Sequence, residues 1–143
     1  MLILGIDFGA RRIGLATGNS VTGTARPLTT IRHDGKPLAD IEEVVREWNP
    51  DRIVIGLPLA ADGSETDMSR AARRFAADVQ ARFGEVAVEF QDERYSSRMA
   101  DSQFARARRE GRARRRDARN LDSVAAAIIV ESWLAAKAPD LAP

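Results

Sequence analysis

A chain of 143 residues, 44% hydrophobic and 30% charged, has the length and balance of one soluble globular domain with a continuous core, and residues 1–143 are read as that single domain. With no cysteine and one histidine, His33, it has neither disulfides nor a thiolate or histidine-rich zinc site, so any metal is a hard cation on oxygen ligands, magnesium or manganese. The net charge of +1 conceals a division: ten arginines and three acids between Arg94 and Arg119 give +7 there and leave −6 elsewhere, a basic patch that suits a polyanion. No apolar run of about 18 residues and no signal-peptide pattern is visible, so the expected address is cytoplasmic, away from membranes.

Leu2 to Asp7, Arg12 to Thr17 and Leu28 to Arg32 read as short strands separated by glycine and by the polar cluster Asn19 to Thr24, as an antiparallel meander requires. From Leu38 the period changes: Leu38, Ile41, Val44, Val45 and Trp48 recur at helical spacing until Asn49-Pro50. Arg52 to Gly56 is a buried strand, Ala60 to Ser64 a loop, and Met68, Ala71, Ala72, Phe75, Val79 and Phe83 trace an amphipathic helix closing near Gly84, with Ser64 and nearby acids at its start. Val86, Val88 and Phe90 alternate as a strand, with Asp92-Glu93-Arg94 just beyond it. Ser96 or Ser97 caps a helix running to about Arg109, the stretch from Gly111 to Arg119 is too charged to pack and reads as a mobile loop, and Leu121, Val124, Ala125, Ile128, Ile129 and Trp133 mark a last helix ending before Pro139. Three strands followed by two strand-helix crossovers predict an α/β fold: a mixed sheet, a three-stranded antiparallel meander plus two parallel strands, with helices on both faces.

Three acids fall where such sheets gather chemistry, at strand ends and helix starts. Asp7 ends the first strand, Glu93 follows the last, and Asp122 lies in the first turn of the last helix. Each has an ordinary explanation, a turn, a surface charge and a capped helix start beside Asn120. Together they would repel unless divalent cations compensated them, and two such ions about 3.5–4 Å apart activate water in phosphodiester cleavage. Eight arginines between Arg106 and Arg119 (106, 108, 109, 112, 114, 115, 116 and 119) exceed what solvation needs and suggest phosphate-backbone binding without base stacking, since no aromatic residue is interleaved. Gly56-Leu57-Pro58-Leu59 with Asp62-Gly63-Ser64-Glu65 is a turn with room for close approach, but it lacks the ending of a nucleotide P-loop.

The chain resembles the YqgF family, also called RuvX, bacterial proteins of ribonuclease-H-like fold described as Holliday junction resolvase-like and as nucleases for precursor 16S rRNA. The resemblance spans nearly the whole chain and rests on Gly5-Ile6-Asp7-Phe8-Gly9 through Arg12-Ile13-Gly14-Leu15-Ala16, Ile55-Gly56-Leu57-Pro58 with Asp62-Gly63-Ser64-Glu65, Asp92-Glu93-Arg94, and Leu121-Asp122-Ser123-Val124-Ala125-Ala126. It implies that Asp7, Glu93 and Asp122 are the catalytic, metal-binding set, with Mg2+ or Mn2+ as cofactor. Arg11, Arg12, Arg94, Arg106, Arg108, Arg109, Arg112, Arg114, Arg115, Arg116 and Arg119 would then hold nucleic acid. Three departures are present: Arg11 where the family commonly has Lys, Asn19 where it commonly has Asp, and Tyr95-Ser96-Ser97 in place of Leu-Thr-Thr. The leading expectation is a metal-dependent endonuclease processing the 5' end of precursor 16S rRNA in ribosome biogenesis, as a monomer or homodimer, with ribosome or transcription machinery as further partners. The alternatives are a resolvase of four-way DNA junctions, which needs a symmetric dimer, and a non-catalytic nucleic-acid-binding module. An actin-like or sugar-kinase-like ATPase is disfavoured by length.

Overall fold

The computed structural model describes residues 1–93 and 121–141, the last without side chains from 138 onward. Its elements in chain order are β1 (Leu2–Phe8), β2 (Arg12–Asn19), β3 (Thr24–Arg32), α1 (Leu38–Trp48), β4 (Arg52–Leu57), α2 (Asp67–Arg82), β5 (Ala87–Asp92) and α3 (Leu121–Leu141). The five strands form one sheet in the order β3-β2-β1-β4-β5, antiparallel across β1, β2 and β3 and parallel from β1 through β4 to β5. The expected mixed sheet is therefore present, with α1 and α2 packed on one face and α3 on the other.

Strand alternation sorts the residues between those faces. Leu4, Ile6, Ile13, Leu15, Ile53 and Ile55 join Ile41, Phe75 and Val79 on the α1 and α2 side. Ile3 and Val54 meet Ile129, Val130 and Trp133 of α3 on the other. Each of these fully buried aliphatic side chains contributes about 1.5–3 kcal/mol, so both layers are needed. The same alternation puts Asp7 on the α3 side and Phe8 on the α1 and α2 side.

Several boundaries differ from the expected ones. β3 begins at Thr24, four residues earlier than Leu28, because the backbone pairs on past Pro27 while its side chains lie at an exposed edge without hydrophobic alternation. A register shift at Leu15/Ala16 accommodates that proline, which has no N–H to donate. α2 is capped by Thr66 and not by Ser64: Ser69 N–H donates to Thr66 Oγ1 at 3.2 Å and Thr66 N–H to Ser69 Oγ at 3.0 Å. Ser64 is already committed, its N–H and hydroxyl both donating to Asp62 Oδ1 at 2.9 and 2.6 Å. α1 stops where expected, at Asn49 in the left-handed conformation with φ 46°. α3 runs through Pro139 to Leu141, since a proline in the final turn removes one backbone hydrogen bond without ending the helix. The helix from Ser96 or Ser97 to Arg109 and the loop from Gly111 to Arg119 lie outside the described residues.

Candidate active site

Asp7, Glu93 and Asp122 come from three elements that meet at the carboxyl end of β1. Asp7 sits opposite Gly14 in the β1–β2 ladder. A Cβ on Gly14 would collide with the backbone carbonyl of Asp122, so the missing side chain lets the first turn of α3 rest directly on β2, beside Asp7. Glu93 follows the last β4–β5 pair, Leu57↔Asp92, and its N–H donates to Leu57 O at 3.0 Å, continuing the ladder by one bond. Its side chain occupies the space above Gly56, where a Cβ would stand 2.5 Å from the Glu93 carboxyl carbon.

The electrostatics follow from that crowding. Asp7 and Glu93 share a side-chain hydrogen bond, which two carboxyl groups make only when one of them is protonated. The proton rests on Glu93, whose carboxyl is pushed up to about 9, by burial first and then by the bond to Asp7 and the charges of Asp7 and Asp92. Asp7 is also raised: burial outweighs the stabilising bond from Glu93, and the charge of Asp122 adds to it. Asp122 turns toward Arg12, with Oδ2 3.2 Å from Nε, yet among the described residues this buried oxygen accepts no aligned hydrogen bond. The pair is a charge contact that leaves a lone pair unused.

Among the described residues, no three His, Asp or Glu side chains converge closely enough to hold a metal as they stand. Two carboxyl groups do converge, and the third is turned aside by Arg12. The chemistry of this donor set still fits magnesium or manganese: all ligand atoms are carboxylate oxygens, a divalent cation would take the place of the shared proton, and Asp122 Oδ2, held by Arg12 through charge alone, keeps a lone pair for it.

A cavity of about 720 Å³ opens beside Asp122, walled by Gly9, Ala10, Arg11, Arg12, Arg32 and His33. Arg11 and Arg12 thus line one cavity together with Asp122, and Arg12 also holds that acid. Arg32 and His33 were not expected here. The signal for them lies in the meander itself: β3 returns antiparallel to β2, which pairs Arg32 with Arg12, and His33 N–H donates to Arg11 O at 2.9 Å. His33 Nε2 lies 2.8 Å from Gly9 O while Gly35 N–H donates to Nδ1 at 3.1 Å, so the ring clips the Gly9–Arg12 turn to the end of β3. Arg94, Arg106, Arg108, Arg109, Arg112, Arg114, Arg115, Arg116 and Arg119 lie outside the described residues.

Residues 1–136 match the family model described as "RuvX: Holliday junction resolvase". The chain belongs to the RuvX family. A RuvX relative from Edwardsiella ictaluri, named "Putative pre-16S rRNA nuclease", is 46% identical over 138 residues and 92% of each chain. One of the same name from Actinobacillus succinogenes is 42% identical over 140 residues, 93% of this chain and 94% of that protein. Among solved structures, T. thermophilus RuvC in complex with Holliday junction substrate matches with a TM-score of 0.60 at 18% identity, over 96% of this chain and 95% of that one. The fowlpox virus Holliday junction resolvase matches with a TM-score of 0.60 at 13% identity, over 95% and 99%. These two likenesses establish the resolvase-type, ribonuclease-H-like fold.

The departures from the RuvX pattern can now be located. Asn19 pairs with Leu2 at the far end of β2 and accepts a hydrogen bond from Val21 N–H at 2.8 Å, so it is remote from the acids and serves the β2–β3 turn. Arg11 lines the cavity, where a guanidinium offers a forked donor instead of a point charge. Tyr95, Ser96 and Ser97 lie outside the described residues.

Proposed function

We propose that this RuvX protein is a divalent-metal-dependent endonuclease acting on structured nucleic acid, with the 5' end of precursor 16S rRNA as its preferred substrate. The observation that carries this reading is the Asp7–Glu93 carboxyl pair, held against burial and mutual repulsion, with the charge of Asp122 acting on Asp7 and Asp122 itself lining an arginine-walled cavity. Acids that serve only the fold are not gathered this way, because each loses stability by it. The names of the curated relatives support the substrate, and the family match supports the reaction class.

Arg11 and Arg32 bind the phosphates flanking the scissile bond, and Arg12 does so while steering Asp122. Asp7, Glu93 and Asp122 are the ligands of Mg2+ or Mn2+. When bound, the metal supplies a lowered barrier to ionising the attacking water and charge compensation at the leaving oxygen. The protein's own contribution is to fix the acids on β1, just after β5 and on α3 before substrate arrives, and to hold a proton on Glu93 in the metal-free site. Cytoplasmic action as a monomer or homodimer is the corresponding setting, with ribosome or transcription machinery as partners.

Labelled precursor rRNA and four-way junction DNA, incubated in parallel with magnesium, manganese or chelator, test the reading. Cleavage of the RNA with metal, lost in Asp7→Asn while folding and binding persist, is the expected result. Undiminished cleavage by Asp7→Asn overturns it. The family description favours one second reading, a junction resolvase, which requires a symmetric dimer by light scattering and paired cuts in the DNA.

A further inference from the structure

Two cavities meet at Ala10 and His33. The one walled by Arg11, Arg12 and Arg32 opens at Asp122, and its neighbour, of about 520 Å³, lies around the sheet edge on the α1 and α2 side. Phe8 joins the two sites in sequence: it follows Asp7 in β1 and points to the opposite face. Its ring stacks on Phe75 with centroids 4.5 Å apart, giving the second cavity an aromatic floor, with Leu38 and Ala71 at its sides. His33 stands between the cavities, its ring 5.9 Å from Phe8. Both of its ring nitrogens are taken by backbone groups, so the imidazole offers surface and neither a donor nor an acceptor.

The lining also carries Lys36 and Arg74, exposed and without a hydrogen-bond or ion-pair partner among the described residues. Arg82 is neutralised by Glu42, and Asp78 is the one acid among the described lining residues. A flat apolar floor with free cations at the rim suits a planar ring attached to a phosphate. Every nucleobase has such a face, and stacking on an aromatic floor is tolerant of sequence. A paired base is already stacked and cannot enter.

We propose that this slot receives an unpaired nucleobase of the strand whose phosphates cross the adjoining arginine-walled cavity, so that the protein favours a single-stranded segment next to the bond it cuts. The adjacency of the two cavities, which share Ala10 and His33 in their walls, carries the proposal, which rests on the nucleic-acid reading above and extends it to a substrate class. Lys36 and Arg74 hold the phosphate of the unpaired nucleotide, and the Phe8 side of the slot takes its base.

Binding measured in chelator separates this proposal from the nuclease reading, because no cleavage is needed. Fluorescence anisotropy with a short RNA duplex, blunt or carrying a single-stranded overhang, is compared for the full chain, for Ala71→Trp, which fills the slot from α2, and for the double variant Lys36→Ala/Arg74→Ala, which removes no packing. The wild type should bind the overhang duplex about tenfold more tightly than the blunt one, the size of one stacked base, and both variants should lose that preference while retaining blunt-duplex binding. Equal wild-type affinity for the two duplexes overturns the proposal. So does a preference that survives in the double variant, should Ala71→Trp fail to fold. A mononucleotide that competes as well as the overhang duplex also overturns it, since the slot would then take free nucleotides.

Discussion

Replacing Gly56 with alanine tests whether the placement of Glu93 matters for chemistry. The added Cβ would stand 2.5 Å from the Glu93 carboxyl carbon, 2.6 Å from its Oε1 and 2.5 Å from Ile129 Cδ1. Ordinary carbon contacts begin near 3.4 Å, so the carboxyl group must retreat by about 1 Å and lose its bond to Asp7. The stability cost is small, because the end of a glutamate side chain moves easily: overpacking of Ile129 costs about 1–3 kcal/mol, against which replacing a glycine inside a strand returns about 0.5–1 kcal/mol. The chemical cost is larger, since displacing a reacting group by about 1 Å costs on the order of 100-fold. The expected outcome is a folded Gly56→Ala protein, 0–2.5 kcal/mol less stable by about that ledger in a urea titration, whose metal-dependent cleavage falls about 100-fold. Cleavage within about threefold of the wild type, with the variant folded, would refute the argument that this carboxyl position is required.

Three further outcomes follow from the same geometry. In the metal-free protein, Glu93 is protonated in the fold up to about pH 9 but ionises near its ordinary 4.5 in the unfolded chain; the fold therefore holds the extra proton between these values, and stability declines as pH rises through that window. The slope should approach, at most, about 1.4 kcal/mol per pH unit in urea titrations with chelator, and Glu93→Gln should flatten it. Arg11→Ala should weaken binding evenly across sequences and lower the log-log salt slope by about 0.9 for duplex or about 0.7 for single strands; an unchanged slope would remove Arg11 from the phosphate contacts. Thr66→Ala should cost about 1 kcal/mol through loss of the reciprocal cap with Ser69, seen as a melting temperature lower by about 2–4 °C, with cleavage retained.

The sheet and its helices were legible because alternation and helical period are local properties: Val88 and Phe90 against Glu89 and Gln91 mark the last strand, and Leu38, Ile41, Val45 and Trp48 the first helix. Asp7 and Asp122 could be proposed as neighbours from their places at a strand end and a helix start. What could not be read was the depth of contact between them. Gly56 is an unremarkable glycine near a strand end until β5 and α3 are laid beside it, and Glu93 looks like one of two adjacent surface acids until its carboxyl is seen bonded to Asp7. Ser64 was the start expected for α2, and the prior claim of Asp62 on Ser64, which leaves the cap to Thr66, shows only in the fold. β3 was shortened because an exposed edge strand needs backbone pairing but no hydrophobic pattern.

His33 has one more consequence, for proton transfer. It is the only imidazole in the chain, and with Gly35 N–H donating to Nδ1, its other nitrogen must carry the hydrogen given to Gly9 O. Each nitrogen thus has a fixed structural duty in tying down the arginine-bearing turn. The side chain most often used as a general acid is thereby withdrawn from that role, and a departing oxygen must take its proton from water or from a carboxyl group.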